Sequence, residues 1–206
     1  MTLRIGGDIH GDHDMITQMF QTCHLYDLTI QIGDFGAGFG AEAYVHLVSS
    51  EKFKVLFGNH DNYSILSQHP HNMGRFGILE FAGKKIFFVG GAYSIDRHHR
   101  KEGISWWPDE ELNYVETEEC LQLWEREFNN VDLVISHDGP PEFTKYIKNF
   151  MPLETHTGRL LQEIYKIHQP KQWVIGHWHR AFSKKIGNTE FRCLKIGEEM
   201  VMQLGA

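Results

Sequence analysis

Leu3-Arg4-Ile5-Gly6-Gly7-Asp8-Ile9-His10-Gly11 decides how the rest of the chain is read. A short apolar run of strand character ends in glycines, and an acid and an imidazole follow two residues apart. The same grammar returns four times. Leu28–Ile32 runs into Gly33-Asp34-Phe35-Gly36, and Phe53–Phe57 into Gly58-Asn59-His60-Asp61. Val131–Ser136 runs into His137-Asp138-Gly139-Pro140, and the strand-like residues from Gln172 into Gly176-His177-Trp178-His179.

Residues 13–25, 41–50, 117–128 and 155–168 suit helices, so strands and helices alternate. That alternation predicts an α/β layer with a largely parallel sheet. Residues 76–81 and 84–89 read as a hairpin through Ala82-Gly83. Residues 92–116 read as a long, aromatic-rich loop with some helix. The tail from Ala181 to Leu204 reads as three short strands turning near Gly187-Asn188 and Gly197. Without repeats or linkers, residues 1–206 are expected to form one domain.

In open α/β sheets, ligands bind outside the carboxyl ends of the strands, where side chains from several loops converge. Carboxylate, amide and imidazole groups there match a mixed oxygen and nitrogen metal site. Mn²⁺, Fe, Zn²⁺ or Ni²⁺ suit such donors, and Mg²⁺ less well. Asp8, His10, Asp34, Asn59, His137, His177 and His179 are enough for two metals sharing one bridging carboxylate.

The remaining composition narrows the setting. The hydrophobic fraction is 41% and no long single-sign charge block occurs, which argues against disorder. A net charge of -7 argues against broad nucleic-acid backbone binding but not against a small phosphorylated substrate. Cys23, Cys120 and Cys193 are scattered and odd in number, so a disulfide scaffold is not expected. With no secretory-type apolar segment and no run able to span a bilayer, a cytoplasmic setting without membrane contact is expected.

The five motifs, in this order over residues 5–180, resemble the calcineurin-like metallophosphoesterase superfamily, in particular its small bacterial and phage-type members. Gly90-Gly91-Ala92 and Trp106-Trp107-Pro108 add to the narrower likeness. The resemblance implies a four-layer αββα sandwich of two mixed sheets flanked by helices. It implies that Asp8, His10 and His179 bind a first metal, that Asn59, His137 and His177 bind a second, and that Asp34 bridges. Manganese is the leading expectation. His60 would face the scissile phosphate as general acid, while a metal-acidified water supplies the attacking hydroxide. Two aspartates, two dications and one hydroxide leave the site locally cationic despite the acidic chain.

One position departs from the pattern. Many members carry an aspartate three residues after the bridging one, and here it is Ala37. Asp61 or Asp138 is then the candidate to orient His60, and Gly36-Ala37-Gly38-Phe39-Gly40 is expected to form an open, flexible loop. The departure and the short chain favour a small-molecule or nucleotide phosphomonoester or phosphodiester over a phosphoprotein. Arg97 and Arg100 are candidates to grip a substrate phosphate. Trp106 and Trp107 could stack on a base, though loop packing is the stronger expectation. Two alternatives stay open: a nuclease or nucleic-acid end-processing enzyme, and a non-catalytic interaction module on the same fold.

Overall fold

The computed structural model describes residues 1–47, 49, 51–147 and 155–205. Among them, ten strands appear in chain order: β1 (Thr2–Gly6), β2 (Leu28–Gln31), β3 (Phe53–Val55), β4 (Phe76–Phe81), β5 (Lys84–Val89), β6 (Leu133–Ser136), β7 (Gln172–Ile175), β8 (Phe182–Ile186), β9 (Thr189–Cys193) and β10 (Glu199–Gln203). The α-helices are α1 (His13–Thr22), α2 (Tyr63–Leu66), α3 (Tyr114–Glu127), α4 (Pro141–Thr144) and α5 (His156–Ile167).

The strands form two mixed sheets rather than one parallel layer. One has the order β10-β1-β2-β3 and the other β4-β5-β6-β7-β9-β8. β1, β2 and β3 are mutually parallel, as are β5, β6, β7 and β9, while β10, β4 and β8 pair antiparallel to their neighbours. Strand-by-strand reading cannot divide seven parallel strands between two sheets, because nothing local distinguishes them.

Three apolar cores explain the layering. Leu3, Ile5, Ile30 and Leu56 from one sheet meet Ile86, Ile135 and Val174 from the other in a shared inner core. The far side of the larger sheet packs Phe87, Val134 and Trp173 against Trp124 of α3 and Leu161 and Ile164 of α5. The far side of the smaller sheet packs Phe53 and Val55 against Ile16, Met19 and Phe20 of α1. Strands buried on both faces read as unbroken apolar runs, as the sequence shows.

Arg4 is the exception on β1. It is fully buried. Its guanidinium reaches Glu199 at 3.0 Å and donates to Thr22 Oγ1 at 2.6 Å and to the Met19 carbonyl at 2.7 Å. One side chain thereby ties β1 to β10 and α1.

Helix starts follow capping chemistry. Asp12 caps α1 by accepting from Asp14 and Met15 N–H at 3.0 and 2.9 Å. α3 begins three residues before the expected 117, because Asn113 accepts from Val115 and Glu116 N–H while Glu116 reaches back to Asn113 N–H at 2.8 Å. That capping box outweighs the valine and tyrosine at its start. The expected short helix over 41–50 is a 3₁₀ turn at Ala41–Leu47, with Val48 and Ser50 outside the described residues. The hairpin forms as read, with Ala82 and Gly83 at φ 55° and 71°.

Candidate metal centre

The carboxyl ends of the parallel strands in both sheets open at one edge. Asp8 and His10 follow β1, Asp34 follows β2, Asn59 and His60 follow β3, His137 follows β6, and His177 and His179 follow β7. Main-chain bonds lock these loops together. His10 N–H donates to the Asp34 carbonyl at 2.7 Å, Gly176 N–H to the His137 carbonyl at 3.1 Å, and Gly91 N–H to the Phe57 carbonyl at 2.7 Å.

Backbone strain is concentrated here. Among the described residues, five that are not glycine have positive φ, and four of them are His10, Asp34, His177 and His179 at 53°, 54°, 61° and 54°. Each such residue costs roughly 1–2 kcal/mol, so the fold holds these side chains against a local preference. Close approach needs glycine as well. A Cβ on Gly33, itself at φ 104°, would collide with His137 Nδ1, and one on Gly176 would lie 2.5 Å from Asp8 Oδ1.

Two donor groups share one residue. Asp8, His10, Asp34 and His179 place ligand atoms within 4.8 Å of one another, and so do Asp34, His137 and His177. Asn59 joins the second group, its Oδ1 lying 3.0 Å from both His137 Nε2 and His177 Nδ1. His137 Nδ1 lies 2.9 Å from the Ile32 carbonyl, to which it can donate, which leaves Nε2 to face inward. His10 Nε2 and His179 Nε2 approach to 2.9 Å.

The aspartates divide their oxygens in the same way. Asp8 Oδ1 accepts from His177 N–H at 3.1 Å and Asp34 Oδ1 from His60 N–H at 2.8 Å. Asp8 Oδ2 and Asp34 Oδ2 are buried and accept no hydrogen bond from the described residues, although His179 Nε2 stands 3.0 Å from the former. Buried anionic oxygens without donors, facing converging imidazole nitrogens, are what a divalent cation satisfies. The donor set fits two divalent metals.

The charges are strongly coupled. Burial would raise the Asp34 carboxyl, but His137, with His60 and His10 behind it, holds it well below the carboxylate range. Burial would lower His137, yet Asp34 and Asp8 push it up to about 10. Burial carries His177 well below the ordinary histidine value. The Asp8 carboxylate beside it raises His179. Burial lowers His60, with Asp34 opposing and Arg100 adding to the fall.

His60 stands beside the first group, its ring 5.3 Å from that of His10. Its Nδ1 is buried and has no hydrogen-bond partner among the described residues. Neither candidate orienting carboxylate reaches it. Asp61 accepts from Gly36, Ala37, Gly58 and Phe35 N–H at 2.8 to 3.3 Å. Asp138 Oδ1 accepts from Trp178 Nε1 at 2.8 Å and Gly139 N–H at 2.7 Å. The expected open loop holds only in part: Phe35, Gly36 and Ala37 are buried and donate N–H groups to Asp61, whereas Gly38, Phe39 and Gly40 are exposed.

The two arginines separate. Arg100 lines a cavity of about 230 Å³ together with Asn59, His60, Ser94, Asp96, His177 and His179. Arg97 is absent from that lining and instead lies over the rings of Tyr93 and Trp106, at 4.5 and 5.6 Å. Trp107 is buried edge-on to Phe39 at 5.6 Å, the packing role expected of it. The sequence reading missed Ser94, which accepts from Asn59 Nδ2 at 2.9 Å. Glu110 is buried against Ser94 and Trp106. Neither residue stands in a motif. Other histidines pack or lie outside, among them His156, 2.7 Å from Thr117 Oγ1, and His168 against Phe128.

A two-sheet α/β sandwich whose strand ends gather two donor groups around one shared aspartate defines a metallophosphoesterase-type architecture. Residues 1–181 match the calcineurin-like phosphoesterase family, and the chain belongs to it. That family is dinuclear metal-dependent. A dimetal phosphatase from Danio rerio superposes with a TM-score of 0.60 at 11% identity, over 96% of this chain and 88% of its own. A hypothetical protein from Thermus thermophilus gives 0.54 at 16% identity, over 94% and 75%. GAP50, the anchor in the inner membrane complex of Plasmodium, gives 0.50 at 12%, over 95% and 72%. At these identities the likeness is one of fold. No curated protein matches the chain. Among the described residues, no helix is long and apolar enough to cross a membrane.

Proposed function

We propose that this chain is a dinuclear-metal-dependent phosphoesterase acting on a small phosphorylated or nucleotide substrate. The observation that carries the reading is the pair of donor groups meeting at Asp34, with orphaned carboxylate oxygens turned inward. Asp8, His10 and His179 would hold one metal, Asn59, His137 and His177 the other, and Asp34 both. When bound, two divalent cations supply a nucleophile from water near neutral pH and neutralise phosphate charge.

The chain's own groups do the rest. His137 and His177, with Asn59 between them, hold one side of the site fixed. Backbone N–H groups of His60 and His177 orient Asp34 and Asp8. His60 has Nδ1 buried, which leaves Nε2 to meet the leaving oxygen and give it a proton. The cavity beside it is small, which suits a compact ester better than a folded phosphoprotein. The acidic chain supports neither a long duplex nor an anionic membrane surface as partner. Three buried free thiols fit a reducing cytoplasmic setting.

The test is one panel, read with Mn²⁺, Zn²⁺, Ni²⁺ and Mg²⁺ in turn. Its substrates are bis-p-nitrophenyl phosphate, p-nitrophenyl phosphate, cyclic nucleotides and dinucleoside polyphosphates. Hydrolysis that a chelator abolishes is expected, with Mn²⁺ supporting it best. His60→Ala should lose roughly 10²–10⁴-fold in kcat while binding the same number of metal ions. No hydrolysis with any metal sinks the reading, and unchanged turnover in His60→Ala sinks the role of that residue.

A further inference from the structure

We infer that the Asp96–Arg100 pair makes this site select singly charged phosphodiesters over doubly charged phosphomonoesters. The inference rests on the phosphoesterase reading and adds the substrate class. Both residues line the same 230 Å³ cavity as His60, Asn59, His177 and His179.

An arginine beside a phosphate site ordinarily adds one positive charge and a two-pronged donor, which favours the dianion. Here the fork is already taken. Arg100 Nε donates to Asp96 Oδ1 at 2.7 Å and Nη2 to Asp96 Oδ2 at 2.8 Å, while Nη1 lies 3.3 Å from the Ser105 carbonyl. Hydrogen bonding to Arg100 in turn holds the Asp96 carboxyl below its ordinary value, so the pair stays ionised. The wall therefore presents a neutral pair. Asp96 and Arg100 share that lining with His60, which places them beside a phosphate held at that ring.

The rest of the wall fits a second ester group. Ile95 is 45% exposed and lines the cavity with Trp178. This apolar part of the lining gives a second ester substituent a surface to cover, whereas the bare oxygens of a monoester would lie against it without donors. The pair is partly exposed and spans four residues on one loop, so it adds little to folding. Its effect is on what the cavity will accept.

The experiment compares kcat/KM for bis-p-nitrophenyl phosphate and p-nitrophenyl phosphate in the metal-loaded protein and in two variants. Inorganic phosphate and dimethyl phosphate serve as binding probes by calorimetry. Wild type should favour the diester. Asp96→Asn frees the arginine and should lower the diester-to-monoester ratio roughly tenfold, with inorganic phosphate binding tighter by a similar factor. Arg100→Met leaves Asp96 unneutralised and should raise the ratio and weaken inorganic phosphate more than dimethyl phosphate. A ratio and a phosphate affinity that stay within about twofold in both variants overturn the inference while leaving the phosphoesterase reading intact. A wild type that hydrolyses neither substrate overturns both.

Discussion

The two donor groups meet at Asp34 but live in different surroundings. On one side, Asn59 and His137 are 1% and 0% exposed and each has a further partner behind it, while His177 is half-buried. On the other side, the His10 and His179 side chains are 29% and 43% exposed, and only Asp8 is buried. A buried, braced donor set loses little freedom on binding an ion and resists exchange. An open one gives up its ion more readily. The fold thus separates an enclosed half from an exposed half within one cluster, and it does so by depth beneath the sheet edge.

The largest expected effect comes from removing what the halves share. Asp34→Ala deletes the one carboxylate common to both groups. Turnover should fall to background, because several kcal/mol of charge stabilisation disappear. Metal content by mass spectrometry under native conditions should fall from two ions to one or none. Retention of two ions would show that the halves are independent sites and would break the comparison.

Next in size is a change that strikes the enclosed half through its backbone. Gly33→Ala puts a Cβ into His137 Nδ1 at a residue already at φ 104°. Strain and overpacking together should cost about 2–4 kcal/mol of stability in thermal or urea unfolding. The contrast is Gly40→Ala, also at positive φ at 98° but with nothing near its Cβ, which should cost only the conformational part. Equal losses in the two would mean that the enclosed half is not tightly built.

A smaller effect separates the halves by affinity. Titration with a chelator should remove one ion well before the other. His179→Ala should weaken the easily lost ion by at least about tenfold and leave the tightly held one in place. Simultaneous loss of both ions in the wild type would erase the distinction between the halves.

How much of this was legible in the sequence follows from the same contrast. The strand-end motifs carry their chemistry in adjacent residues, so Asp8, His10, Asp34, Asn59, His60, His137, His177 and His179 could be singled out by position. The structure brings all eight to one edge. What braces them is spread out. Asp61 and Asp138 each stand one residue from a motif histidine and are the sequence's candidates to orient His60, yet they bind backbone N–H groups and an indole. Ser94 reaches Asn59 from a loop 35 residues away. Arg97 and Arg100 look equivalent in sequence. A three-residue step round one 3₁₀ turn sends one onto aromatic rings and the other to the cavity. Side-chain direction within irregular loops has no period to read, whereas strand ends do.

The last and smallest effect probes the brace behind the enclosed half. Glu110 is 2% exposed and stands behind Ser94, which holds Asn59. Burial raises its carboxyl above the ordinary value of 4.5, with the neighbouring Ser94 and Trp106 opposing. A raised acid keeps its proton in the folded state where the unfolded chain has lost it. Its contribution to stability is therefore full below 4.5 and is lost as pH rises through the raised value. In the metal-free protein, melting temperature measured from about pH 4 to 7 should fall less steeply for Glu110→Gln than for wild type, since glutamine keeps the shape and cannot ionise. Asp61 and Asp138, both raised to about 6, add the same sign of slope to both proteins and cancel in the difference. Parallel curves would mean that Glu110 is already ionised in the fold. The enclosed half would then rest on a buried charge rather than on a neutral acid.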